Sequence, residues 1–219
     1  PLAELKEAPE LLDRLEQARA RVGDASVRTL PNQRLRTRQT SPDAQGRLQP
    51  EQADAVVSTH PGLSIGVVTA DCVPILAASA DGAVVAAIHA GWRGLAAGVV
   101  AAGITRLRVR AVQGRRLVAV IGPHIGACCY EVDAPVRVAL GRRFGERLEG
   151  ALAPSRPGHW QLALAWLVEL ELRDQGLGQG DVARIPDACT HCDPHRFHSY
   201  RRDREAAGRL VHHIAAARE

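Results

Sequence analysis

Apolar positions change period several times along this chain, and each change predicts an element. In "LSIGVV" (63–68) they alternate with small residues, which predicts a strand, and "VPILAAS" (73–79) predicts a second. "GAVVAAIHAG" (82–91) is a nearly unbroken apolar run and reads as a buried strand; "RLVAVIGP" (116–123) reads as another central one. Helical spacing governs "APELLDRLEQARARVG" (8–23), where Leu11, Leu15, Ala18 and Val22 recur, Pro9 suits the first turn and Gly23 ends the run. It returns from Trp92 through Leu95, Val99 and Ala102, again in "DAPVRVALGRRF" (133–144) with Asp133 as cap and Pro135 in the first turn, and most strongly in "HWQLALAWLVELELRDQG" (159–176), stopped by Gly176. "DVARIPD" (181–187) predicts a short strand, and "GRLVHHIAAA" (208–217) suits strand or helix. The polar, basic stretch at 31–52 predicts a strand with a long loop.

Strands and helices mix without a regular βαβ rhythm, a repeat or a linker of disordered composition. That predicts an α+β class and one domain over 1–219. Apolar residues make up 46% of 219, enough for a sizeable core. Neither a membrane-length apolar run nor a secretory N-terminal pattern is visible, so a cytoplasmic enzyme without a membrane partner is expected. Methionine is absent even from position 1, which leads us to expect that something upstream is missing or processed. Net charge is only +4 and aromatics only 3%, which argues against nucleic acid and leaves anionic small molecules. Five cysteines, an odd number without an export signal, argue for reduced thiols that pack, react or bind metal.

Polar chemistry gathers where the apolar runs stop. Asp71 and Cys72 interrupt one run and His89 closes the next, 17 residues on, which is enough for a hairpin that brings thiol and imidazole together. Such a pair suits zinc, or a nucleophile and its base; the plain alternative is a buried thiol and a satisfied strand-end histidine. Gly91 and Gly94 flank Trp92 and Arg93 at a helix start, a setting for a phosphate or carboxylate, or merely a tight turn with a solvated arginine. In "IGPHIGACCYEV" (121–132), His124 could line a pocket, while the vicinal Cys128 and Cys129 read as packing residues. "CTHCDPHRFHSYRRD" (189–203) holds a lone C-x-x-C, half a zinc ribbon at best, and is expected to be a loop facing a cleft. Arg201 and Arg202 could bind an anion there, although an Arg–Asp203 pair is the safer structural reading.

Taken in order, "TADCVPIL", "HAGWRG", "GPHIGACCYEV" and "CTHCDPHRFHSYRRD" resemble the YfiH-like family, from about Ala53 to Arg209. Members have been called multicopper polyphenol oxidases (laccase domain) and purine nucleoside phosphorylases. The resemblance implies a single domain of mixed β-sheets sandwiched by helices, akin to cysteine hydrolases. It also implies a zinc held by a cysteine and two histidines, of which Cys72 and His89 are two. The third histidine, expected upstream, maps to Leu35 in "NQRLR" (32–36), and no histidine precedes His60. Residues 1–52 are thus atypical or incomplete for the family. A substitute from His60, His124 or His198, a group from a partner, or weak or absent metal are the alternatives.

The activity so implied is phosphorolysis of adenosine or inosine, with adenosine deamination as a side activity. Its partners are a purine nucleoside and phosphate, and the oligomeric state is open. Cys72, His89 and Asp71 are the candidate catalytic residues, and Arg93, His124, Arg201 and Arg202 the candidate substrate contacts. A Cys/His hydrolase or amidase, including an editor of peptidoglycan precursors, is the second reading. Copper-dependent phenol oxidation ranks last because paired H-x-H patterns are lacking; a binding or scaffold protein that has lost catalysis is a further reading, against which Cys72, His89 and Arg93 argue.

Overall fold

The computed structural model describes residues 53–217; the predicted helix at 8–23 and the stretch at 31–52, with Leu35, lie outside them. The architecture is mixed α+β. Its centre is a five-stranded sheet in the order β1 (Ala55–Ser58), β4 (Val85–Ala90), β3 (Val73–Ser79), β5 (Leu117–Ile121) and β9 (Val182–Arg184). All neighbours are antiparallel except β5 and β9.

The register explains which side chains form the core. Ile75 lies opposite both Ile88 and Ile121, and all three are fully buried. Successive side chains alternate between faces, so Pro74 and His89, the next pair along, belong to the other face. On the isoleucine face lie α1 (Trp92–Ala96), α2 (Val99–Arg110), α3 (Ala134–Phe144) and α4 (Leu164–Asp174), which share one hydrophobic core with the sheet. Gly103 of α2 comes so near that an added Cβ would stand 2.6 Å from Ile88 Cδ1. The opposite face carries a two-stranded ribbon, β2 (Ser64–Thr69) with β10 (Leu210–Ala215), packed on β3 and β4. A small antiparallel sheet of β6 (Glu131–Asp133), β8 (His159–Leu162) and β7 (Leu152–Pro154) packs beside α3, and a short helix α5 (Tyr200–Asp203) follows the cysteine-rich loop. No helix among the described residues is long and apolar enough to cross a membrane.

Several predicted elements differ in detail. The single helix expected from Trp92 is two, because Gly98 adopts φ 86° and breaks it. The first residues of the predicted helix at 159–176 are instead β8, where His159–Leu162 pair with β6 and β7. Gly176, at φ 81°, ends α4 as expected. Asp133 precedes α3, but its side chain makes no capping hydrogen bond. The ambiguous segment at 208–217 is a strand, paired residue by residue with β2.

Candidate active site

Pairing between β1 and β4 places the first component. Ala55 faces Ile88, so Asp54 is the next residue opposite His89, and the His89 amide donates to the Asp54 carbonyl at 2.7 Å. Their side chains meet as well, with His89 Nδ1 3.0 Å from Asp54 Oδ1. Cys72, in the turn before β3, is the other hydrogen-bond partner of the imidazole. Gly91 makes this approach feasible: a Cβ there would stand 3.0 Å from Cys72 Sγ and 3.9 Å from His89 Nε2. Thiol, imidazole and carboxylate thus form one chain of hydrogen bonds at the end of β4. Burial alone would lower the His89 pKa; the hydrogen bond donated to Asp54, then that to Cys72, overrides it and raises the value to about 10.

Asp71, the remaining candidate catalytic residue, is bound elsewhere. Its carboxylate accepts from Thr190 Oγ1 at 2.7 Å and from the Arg201 amide at 2.6 Å, and its carbonyl accepts from the Ile125 amide at 2.9 Å. These three bonds hold Asp71 at φ 88°, a left-handed conformation that costs a non-glycine residue free energy. Asp71 is the clasp that joins the Cys72 turn, the loop after β5 and the loop before α5. The carboxylate on His89 is Asp54, which the sequence reading missed because β1 went unrecognised.

A cleft of about 480 Å³ lies beside the hydrogen-bonded chain, lined among others by Trp92, Arg93, Tyr130, Arg201 and Arg204. Trp92 follows Gly91 directly, and the Tyr130 hydroxyl, raised to about 12 by burial and then by the nearby Cys72, ties the two places electrostatically. Arg93 lies over the Trp92 ring at 4.3 Å, and Arg201 lies over the Tyr130 ring at 5.3 Å while donating to the Glu131 carbonyl at 2.9 Å. Neither is ion-paired among the described residues. Each keeps donors for an anion.

Arg202 and His124 do not share this cleft. Arg202 donates to both Asp203 oxygens at 2.8 and 2.7 Å and to the carbonyls of Thr190, His191 and Phe197 at 2.9, 3.1 and 3.0 Å. It is a loop brace. His124 is buried, donates from Nδ1 to the Gly122 carbonyl at 2.8 Å, and is pushed below the ordinary histidine pKa by burial. The adjacent sequence feature, the cysteine-rich loop, brings Cys189 and Cys192 to within hydrogen-bonding distance of Cys128 and Cys129 rather than to the cleft.

The solved structures show the same fold in other proteins. The Bacillus licheniformis hypothetical protein YfiH has a TM-score of 0.76 with the chain at 26% identity, covering 93% of it and 79% of its own length. YlmD from Geobacillus stearothermophilus has a TM-score of 0.70 at 29% identity, covering 76% and 63%. In sequence, the purine nucleoside phosphorylase of Xylella fastidiosa strain 9a5c is 38% identical over 157 residues, 70% of this chain and 57% of that protein. The Shigella flexneri relative, purine nucleoside phosphorylase YfiH, is 36% identical over 75% of this chain and 64% of its own. The chain belongs to the family described as "Multi-copper polyphenol oxidoreductase laccase", whose pattern matches residues 13–217. It spans about 57–62% of the length of the first curated relatives it matches.

The donor set decides which metals fit here. Catalytic zinc takes three protein donors and an open position. Cys72 and His89 are two, and among the described residues neither His60, His124 nor His198 joins them in a three-donor group. A multicopper centre needs more imidazoles still, and no cluster of histidines occurs among the described residues. These residues do not complete a metal site at Cys72. What they do bring together is a thiol, an imidazole and a carboxylate.

Proposed function

We propose that this protein is a purine nucleoside phosphorylase that binds nucleoside and inorganic phosphate in the arginine-lined cleft. Two guanidiniums without ion-pair partners among the described residues, Arg93 and Arg201, lining one cavity close to the Cys72–His89–Asp54 group, are the observation that carries this reading. The cavity volume lies within the range of small-molecule sites, and the rings of Trp92 and Tyr130 suit a purine face. Curated relatives at 36–38% identity bear the same activity in their names.

Phosphorolysis forms a bond between a phosphate oxygen and C1′ of the ribose and breaks the bond from C1′ to the purine nitrogen. The electron pair of that bond passes to the purine, which takes up a proton. Arg93 and Arg201 would hold the phosphate by charge-assisted hydrogen bonds and keep it in line. His89 would give a proton to the departing base and regain one from the phosphate, leaving no net change on the enzyme. Asp54 holds the imidazole in orientation and stabilises its charge. For adenosine deamination, which needs an activated water, the described residues offer no completed metal site beside the cleft.

The test is product analysis with inosine or adenosine, with and without inorganic phosphate. Free base and ribose 1-phosphate should form only when phosphate is present. Arg93→Ala and Arg201→Ala should each raise KM for phosphate about 10- to 100-fold, whereas Arg202→Ala should lower Tm instead. Release of free ribose at the same rate without phosphate would refute the proposal.

The Cys72–His89–Asp54 arrangement also favours a second reading, a cysteine hydrolase or amidase with Cys72 as nucleophile. Its signature is covalent: selective, stoichiometric labelling of Cys72 by a substrate-like electrophile, abolished in His89→Ala. An inert Cys72 removes that reading.

A further inference from the structure

Four of the five cysteines converge on one point away from Cys72. Cys128 Sγ lies 3.7 Å from Cys189 Sγ and 3.6 Å from Cys192 Sγ, and Cys129 Sγ lies 3.3 Å from Cys192 Sγ. All four sulfurs fall within 4.8 Å of one another. Around zinc, with Zn–S bonds of about 2.3 Å, the edge of the sulfur tetrahedron is about 3.8 Å. The thiols therefore already stand close to the spacing that one ion would impose.

Packing does not account for the cluster. A cysteine used as a small apolar residue is buried, yet Cys128 and Cys192 are exposed and Cys129 and Cys189 only half-buried. The two halves are set by backbone. The Cys129 and Tyr130 amides close a turn on the Gly126 carbonyl at 3.0 and 3.1 Å, and the Asp193 amide closes the second on the Cys189 carbonyl at 3.3 Å. The His124 and Thr190 amides bond across to the Ala188 and His124 carbonyls, at 3.2 and 3.0 Å, and lock the two turns side by side. Gly126 then donates its amide to Cys189 Sγ at 3.2 Å, a hydrogen bond that suits a thiolate. Any side chain at Gly126 would crowd the cage, since a Cβ there would stand 3.1 Å from Cys128 Sγ and 3.4 Å from Cys189 Sγ.

We propose that Cys128, Cys129, Cys189 and Cys192 bind one zinc ion as a closed, four-thiolate structural site. On binding, the four thiols release their protons to solvent and each sulfur forms one bond to the metal, with no change of oxidation state. No coordination position is left for water, so the ion serves architecture rather than reaction. It fastens the loop before α5 to the turn after β5. Thr190, between these cysteines, bonds Asp71 beside Cys72, so the ion steadies the candidate active site from behind.

The experiment uses protein purified under reducing conditions and carrying Cys72→Ser, which removes the other thiol. Metal analysis should find one zinc per chain, and further substitution of Cys189→Ser or Cys128→Ser should reduce it to background. Metal-free protein, with its fold checked by circular dichroism, should take up one cobalt(II) ion with the intense visible bands and thiolate charge transfer of tetrahedral four-sulfur coordination. Zinc should also raise the Tm of that protein. Uptake of neither zinc nor cobalt by the folded, reduced Cys72→Ser protein would overturn the site. So would a cobalt spectrum without sulfur charge transfer, or zinc content unchanged in both cysteine variants.

Discussion

The two places where this protein concentrates thiols show how surroundings decide what sulfur does. Cys72 stands alone among them, hydrogen-bonded to an imidazole that a carboxylate holds on its far side. The other four stand against each other, with a backbone amide as the polar neighbour of Cys189. In the first setting protons have somewhere to go, and in the second they have only one another. The first is suited to proton transfer and the second to a soft cation.

That contrast can be broken at its strongest point first. His89→Ala leaves Cys72 without its partner and should cut kcat/KM for the proposed nucleoside cleavage by about 10²- to 10⁴-fold, while zinc uptake at the proposed four-cysteine site should stay unchanged. Asp71→Ala comes next and strikes the join between the two regions. It leaves the buried Thr190 hydroxyl and the Arg201 amide unpaired, for a loss of roughly 1–3 kcal/mol in denaturant unfolding. Asp71→Gly should lose less, because glycine relieves the left-handed backbone.

Asp54→Asn probes the carboxylate and should give a smaller effect on rate, with a distinct pH signature. The His89 pKa is raised from 6.5 to about 10, so the stability this contributes is fully present below about 6.5 and is lost as pH rises through about 10. In Asp54→Asn the decline of Tm across that window should be shallower, and the alkaline limb of kcat/KM should move to lower pH.

The smallest effect is expected on the acid side. His212 of β10 accepts or donates through Nε2 with Thr69 Oγ1 at 2.9 Å, and burial, then the nearby His213 and His89 charges, depress it to about 4. The unfolded chain binds this proton below about 6.5 and the folded chain does not until about 4, so stability should fall as pH drops through that range. His212→Gln should flatten this loss in acid titrations of Tm. An unchanged slope would show that the ribbon does not govern acid unfolding.

Much of the fold was legible because its strands are short apolar runs with clear stops. "VPILAAS" and the strand Val85–Ala90 lie where the periodicity places them. Local period failed where two signals overlap. "HWQL" merges with the apolar positions of the helix behind it, and only its pairing with β6 and β7 makes it a strand. Gly98 was invisible as a break because glycine is tolerated in a helical pattern unless φ turns positive.

The candidate site followed the same division. The approach of Cys72 to His89 could be inferred from a hairpin, since both lie on adjoining strand ends. Asp54 could not, because its role depends on a register between segments 35 residues apart. The vicinal Cys128–Cys129 pair looked like packing and "CTHC" like half a metal site, each judged within its own segment. Cys128 and Cys189 are 61 residues apart, and nothing local in either half announces the other.

Asp71 has a consequence for how the chain acquires its shape. Its partners Ile125, Thr190 and Arg201 arrive progressively later in the sequence, the last of them 130 residues on. The strained turn that carries the cysteine can therefore be held only once nearly the whole described chain is in place. A polypeptide interrupted before Ser199 would build much of the central sheet yet leave that turn without the last of its three ties. Competence at this end of the molecule is in that sense a record of completed folding.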